Sequence, residues 1–178
     1  MIGHDFGGAT ALRTLLINRR RFSQLVLIDP VALSPWGSPF FRHVQQHEAA
    51  LAGLPDFIHA AAVRAYVETA AHSQLADSVW RSIVAPWTGD AGQAAFYRQI
   101  AQADERYTDE IQSCYPQIDL PTLILWGRED RWIPVDRGER LHALIPGSEF
   151  NIIDDAGHLV IEERPDALLS AIRTFIRR

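Results

Sequence analysis

Three short apolar runs constrain this chain most: Leu25-Val26-Leu27-Ile28-Asp29, Thr122-Leu123-Ile124-Leu125-Trp126 and Phe150-Asn151-Ile152-Ile153. Each is rich in β-branched and aliphatic residues and ends in a loop carrying an acid, Gly or Pro. That is the pattern of a strand covered on both faces within a parallel sheet. Between the second and third runs, residues 135–145 read as a helix stopped by Pro146-Gly147. After the third, residues 165–176 read as a closing helix with Pro in its first turn. Ahead of the first run, residues 7–17 (GGATALRTLLI) are predicted helical, and the small first turn of Gly7, Gly8 and Ala9 permits close packing on a sheet. The alternation specifies an α/β architecture.

The segment from Pro30 to about Ile118 breaks that alternation, with helical stretches around 42–52, 57–71, 76–85 and 91–104 and no convincing strand. It is bounded by Pro30 and Pro35-Trp36-Gly37 on one side and by Cys114-Tyr115-Pro116 on the other. An excursion this long exceeds a simple crossover, so it is expected to form a lid over the carboxyl ends of the strands. The expected organisation is a core of residues 1–30 and 119–178 with a helical cap of residues 31–118.

The 178 residues are 47% hydrophobic and 22% charged with a formal charge of -5, and the acidic balance argues against nucleic acid or an anionic membrane as partner. Arg19-Arg20-Arg21 reads as a solvated helix end complementing the helix dipole. Cys114, the single cysteine, cannot form an internal disulfide and is expected to be a buried apolar residue. No apolar run has the length of a membrane span and the N-terminus lacks a signal-peptide pattern, so the cytoplasm is the expected location.

Three local signatures follow in the order nucleophile, acid, histidine. Gly3-His4-Asp5-Phe6-Gly7 has the spacing of a nucleophile elbow, a sharp strand-to-helix turn that pushes its central side chain into a cleft while the flanking glycines avoid a clash. Asp130 lies in GREDRWIP just past the second strand, and His158 in DAGHL just past the third. Parallel strands deliver both loops to one sheet edge, where an acid can orient an imidazole facing the nucleophile. Glu129 and Asp29 compete with Asp130 for the acid role, and Asp5 taken alone reads as a helix cap. His4 is expected to support the elbow by hydrogen bonding. His43 and His47, followed by Glu48, share a helix face at metal-ligand spacing but lack a good third ligand, so an exposed lid face is expected and no metal is assigned. Trp36, Trp80 and Trp87 are candidates for lining an apolar pocket or for packing the lid.

With these motifs in this order, the sequence resembles the α/β-hydrolase superfamily, and within it the lidded enzymes with an Asp nucleophile, the epoxide hydrolases and haloalkane dehalogenases. The resemblance covers the chain except the lid, which is only loosely similar. It implies a partial α/β-hydrolase fold, the C-terminal portion of such an enzyme. Several strands and a histidine-glycine loop precede the elbow in family members, whereas only Met1 and Ile2 do so here. Three strands are expected, with an open sheet edge suited to self-association or a partner chain. The resemblance further implies cofactor-free attack by Asp5 on a small apolar electrophile, an oxyanion donor in the Phe6 amide, and hydrolysis of the Asp5 ester by water activated at His158, which Asp130 holds. Ala95-Phe96-Tyr97-Arg98 resembles the segment carrying a lid tyrosine of epoxide hydrolases, making Tyr97 the candidate acid, and His4 and Trp36 are expected in the substrate pocket. Tyr66 and Tyr107 fall in the lid outside any motif. Phe6 departs from the Trp common at that position. Epoxide hydrolysis is the favoured reading, with haloalkane or ester hydrolysis, or a non-catalytic fragment, as alternatives.

Overall fold

Two of the three runs become strands buried along their whole length, and burial on both faces decides the architecture. The computed structural model describes residues 1–177. Strands β1 (Ile2–His4), β2 (Leu25–Ile28), β3 (Thr122–Gly127) and β4 (Glu149–Ile153) form one parallel sheet in the order β1-β2-β3-β4. Leu27 stands opposite Gly3 on one side and Ile124 on the other, and Leu125 opposite Asn151. The sequence reading anticipated three strands. The fourth, β1, has three residues and is too short to show a period; it forms because β2 offers its backbone groups partners along that edge.

Alternation along the strands sorts side chains to two layers. Leu25, Leu27, Ile124 and Trp126 share a core with Leu12 of α1 (Phe6–Leu16) and Leu141 of helix Asp136–Leu144. Val26, Ile28, Leu123 and Leu125 face Leu168 and Phe175 of the closing helix Pro165–Ile176 on the other side. Each such Leu or Ile, fully removed from water, contributes about 2 kcal/mol before entropy is counted.

Between β2 and β3 run α2 (Pro39–Ala52), α3 (Asp56–Glu68), α4 (Asp77–Val84), α5 (Gly89–Ala101) and α6 (Arg106–Gln112). The first four match the helical stretches read from sequence. Helix α6 was not read, because RYTDEIQ carries too few apolar residues for a period; it is held by Ile111, which joins the sheet core. Val44, Val63, Trp80, Phe96, Tyr97 and Ile100 make a separate helical core, whereas Ala32, Leu33, Tyr115 and Ile118 at the ends of the segment pack with the sheet. The remaining helices are α7 (Asp136–Leu144), α8 (Val160–Glu163) and α9 (Pro165–Ile176). Among the described residues no helix is long and apolar enough to cross a membrane.

The elbow requires close contact between β1 and α1. A Cβ on Gly3 would lie 2.5 Å from the Gly7 carbonyl oxygen, a backbone atom that cannot rotate away. Gly7 itself faces open space, so of the two flanking glycines only Gly3 is sterically required. Gly3→Ala is expected to cost about 2 to 3 kcal/mol, read as a lower urea midpoint, while Gly7→Ala costs under about 1 kcal/mol.

Candidate active site

The sharp turn after β1 places Asp5 at φ 51 and ψ -124, a conformation unusual for any residue other than Gly. Backbone bonds hold it there: the Asp5 amide donates to Ile28 O at 3.3 Å, and Asp5 O accepts from Gly8 at 2.9 Å and Val31 at 3.1 Å. Such strain persists only where surroundings impose it, and it often marks a working site. The Asp5 side chain makes no capping bond to α1. It is directed across the sheet edge instead, with Oδ1 3.7 Å from Nε2 of His158. Phe6 begins the helix, so its amide is among those with no intrahelical carbonyl to meet.

Glycines bring the acid and histidine loops together. A side chain on Gly127 would collide with the Gly157 backbone, and one on Gly157 with Ala70 O at 2.6 Å. Asp130 is buried; its Oδ1 accepts the Trp132 and Ile133 amides at 2.8 and 2.9 Å, and its Oδ2 accepts from His158 Nδ1 at 2.8 Å. That bond puts the proton of a neutral imidazole on Nδ1 and leaves Nε2 facing Asp5 with its lone pair. Nε2 is buried, with no hydrogen-bond partner.

The other two acids have different partners. Glu129 Oε2 accepts the Ala156 amide at 3.0 Å, tying the two loops, and Asp29 Oδ1 accepts the Gly127 amide at 2.8 Å. Glu163, which sequence reasoning did not single out, is buried. It accepts the His72, Ser73 and Gly157 amides at 2.7, 2.6 and 2.7 Å, fastening the segment after α3 to the histidine loop. Its sequence signal is its place in Glu162-Glu163-Arg164-Pro165, a run that resembles the family's histidine loop without marking which of the two acids is buried.

Burial lowers the basicity of His158, but the Asp130 hydrogen bond and charge, followed by the charge of Asp5, outweigh it and hold the imidazole up to about 9. His4 is lowered, first by burial and then by the charge of His158; its Nε2 donates to the His158 carbonyl at 2.9 Å. His4 thus braces the histidine loop rather than the elbow alone.

A cavity of about 640 Å³ opens over Asp5 and His158, walled by Phe6, Trp36, Phe41, Tyr66, Trp87 and Trp132, with Arg13, Tyr107 and Thr108 towards one end. Trp36 meets Phe6 edge-on at 5.4 Å and is fixed by its Nε1 donating to Thr108 Oγ1 at 2.9 Å. Trp80 lies outside the cavity, buried beneath the Arg64 guanidinium at 4.9 Å.

Tyr97 requires correction. It does not line the cavity; it is buried in the helical core with its hydroxyl 3.0 Å from His59 Nδ1. Phe96, one residue earlier on α5, faces the cavity instead, because adjacent helical positions point about 100° apart. The cavity tyrosines are Tyr66 and Tyr107. The Tyr107 hydroxyl accepts from Arg106 at 3.2 Å. Tyr66 stacks on Trp132 at 4.7 Å, and its phenol is raised by burial and by the charge of Asp5, against a smaller opposing effect of Ser38.

His43 and His47 are exposed with rings 4.7 Å apart. Among the described residues, His72, Glu129 and Asp155 bring ligand-type atoms within 4.8 Å of one another, but Glu129 already binds the Ala156 amide and Arg164 lies 3.6 Å from Asp155.

Residues 1–171 match the profile of the alpha/beta hydrolase family. The chain belongs to this family. An alpha/beta hydrolase fold protein from Burkholderia ambifaria superposes with a TM-score of 0.92 at 46% identity, covering 96% of this chain and 63% of that one. An uncharacterized hydrolase of Bacillus subtilis (strain 168), YugF, is 26% identical over 190 residues, spanning 99% of this chain and 64% of the relative. A 2-hydroxy-6-oxononadienedioate/2-hydroxy-6-oxononatrienedioate hydrolase of Klebsiella pneumoniae is 45% identical over 62 residues, 35% of this chain and 22% of that protein. This alpha/beta hydrolase chain therefore spans under two thirds of the length of each of these relatives.

Proposed function

We propose that this alpha/beta hydrolase opens epoxides through a covalent ester on Asp5, with residues 31–118 acting as a lid above a core of residues 1–30 and 119–178. The observation carrying the reading is a carboxylate at the elbow, 3.7 Å from an imidazole that Asp130 orients. A carboxylate is already ionised at neutral pH and displaces a leaving group from saturated carbon without a base. Its attack on an ester carbonyl would instead give a mixed anhydride, a product less stable than the starting ester, which disfavours acyl chemistry.

In this reading an Asp5 oxygen bonds to an epoxide carbon, the ring C–O bond breaks, and the alkoxide takes the Tyr66 proton. Tyr66 replaces Tyr97 as the acid. A phenol keeps its proton at neutral pH, and the Asp5 charge that helps raise Tyr66 is discharged as the ester forms, which eases transfer of that proton to the more basic alkoxide. His158 Nε2 then removes a proton from water, the hydroxide adds to the ester carbonyl, and the oxyanion is met by the Phe6 amide. Collapse breaks the bond between the Asp5 carboxyl carbon and the ester oxygen, the hydroxyl proton of the intermediate passes to the departing alkoxide, the diol leaves carrying that oxygen, the Asp5 carboxylate is restored, and the His158 proton restores Tyr66 through solvent. The sum is epoxide plus water to diol.

Halide displacement is less well served. The Phe6 side chain has no donor, and the indole N–H groups of Trp36 and Trp132 are already given to Thr108 and Thr69, each at 2.9 Å. A panel of aryl and alkyl epoxides, haloalkanes and p-nitrophenyl esters tests the assignment. Diol formation from epoxides alone is the expected result, and ester cleavage without diol formation contradicts it. Tyr66→Phe is expected to lower epoxide kcat about 100-fold, with little change for Tyr97→Phe.

A further inference from the structure

Asp29 has no part in the scheme above, yet it sits at the end of β2 in the heart of the site. It is fully buried, takes φ 39, and donates its amide to Leu125 O at 3.0 Å. Its two carboxyl oxygens are unequal: Oδ1 accepts the Gly127 amide at 2.8 Å, whereas Oδ2 is buried without any partner an ionised carboxylate can use. The neighbouring carboxyl is that of Asp130, for the two acids share Gly127: its amide donates to Asp29 Oδ1, and its carbonyl accepts the Asp130 amide at 3.2 Å. A bare carboxylate oxygen facing a second buried carboxylate is costly, and two such groups do not both ionise.

The hydrogen bonds decide which acid keeps its charge. Asp130 accepts three, from Trp132, Ile133 and His158, all of which favour its ionised form. Asp29 accepts one. We infer that Asp29 is a protonated positioning residue whose carboxylic acid donates its Oδ2 hydrogen to the Asp130 carboxylate, holding that carboxylate in line with His158. The inference rests on the reading of Asp130 and His158 given above, and it extends the acid–histidine pair to a chain of three.

Burial, followed by the charge of Asp130, raises Asp29 well above the usual carboxylate range, in agreement with the geometry, while His158 opposes this. The titratable groups around Asp29 are Asp130 and His158, with His4 and Asp5 further along the same rim. With its proton in place, Asp29 contributes a dipole rather than a charge to His158. The sign of the His158 response therefore separates the two protonation states.

The test uses the 178-residue chain without substrate, so its outcome is independent of whether epoxides turn over. Infrared difference spectra with isotope-labelled aspartate carboxyls are expected to contain a protonated-carboxyl band at pH 7 that disappears in Asp29→Asn. A wild-type spectrum without the band overturns the inference even if every variant unfolds. NMR titration of His158 supplies the second readout. Asp29→Asn, which keeps a donor, is expected to leave the midpoint within about 0.3 pH unit of wild type, and Asp29→Leu to raise it by about half a unit as Asp130 regains full charge. A fall of about one unit in both variants would mean that wild-type Asp29 is ionised, and the inference fails. If the band is present but no Asp5 ester ever forms, the assigned reaction fails and Asp29 stands.

Discussion

Asp5→Asn is expected to lower epoxide turnover by about 10,000-fold or more while leaving the thermal midpoint within a few degrees of wild type. In the proposed reaction, loss of the carboxylate removes the group that forms the new bond to carbon, and the amide replacing it is neutral and a poor nucleophile. The fold should tolerate the change because Asn accepts positive φ nearly as readily as Asp, and the elbow is held by backbone bonds to Ile28, Gly8 and Val31 rather than by the Asp5 side chain. Steady-state diol formation alongside a melting curve checks both halves. Activity within about tenfold of wild type would remove Asp5 from the chemistry.

His158→Ala is expected to divide the reaction. The first half requires only Asp5 and the acid, so the variant should consume about one equivalent of epoxide per chain. The second half requires a base at Nε2, so release of diol should slow by about 10,000-fold. Quenched-flow analysis of substrate loss and diol formation separates the two. The electrostatics add a pH dependence. In the free protein the negative charges of Asp130 and Asp5 keep His158 up at about 9, which leaves it protonated at neutral pH and unable to act as a base. Esterification discharges Asp5 and removes one of those charges, so the imidazole becomes easier to deprotonate at the step that needs a base. The sign follows: as pH falls through the lowered midpoint of the ester form, hydrolysis slows about tenfold per pH unit and the ester accumulates in wild type.

Much of this arrangement was legible in the chain because its causes are local. Full burial forces apolar runs such as Leu25–Ile28 and Thr122–Gly127, and a buried run announces itself in a single window of sequence. The three loop motifs carry the glycines that close packing demands at Gly3, Gly127 and Gly157. What escaped was decided by distant partners. β1 exists because β2 pairs with it, and no three-residue window records that. Tyr97 and Phe96 are adjacent in a helix, and which of them faces the cavity depends on how α5 packs within a core that includes Val44 of α2 and Trp80 of α4. Tyr66 lies in no motif, and its position is set by Trp132, Phe40 and the seating of α3. Asp130 was read as the acid from its place in GREDRWIP, whereas the roles of Glu129 and Asp29, which end beside the same strand edge, needed their bonds to the Ala156 and Gly127 amides.

The most direct measurement is a single turnover with protein in excess over styrene oxide in heavy-oxygen water, followed by mass analysis of the diol and of the peptide containing Asp5. If the diol oxygen comes from Asp5, the label enters the Asp5 carboxylate and the first diol released is unlabelled. Heavy oxygen in the diol with none in the peptide would mean that water attacks the epoxide directly, and the covalent account would be wrong.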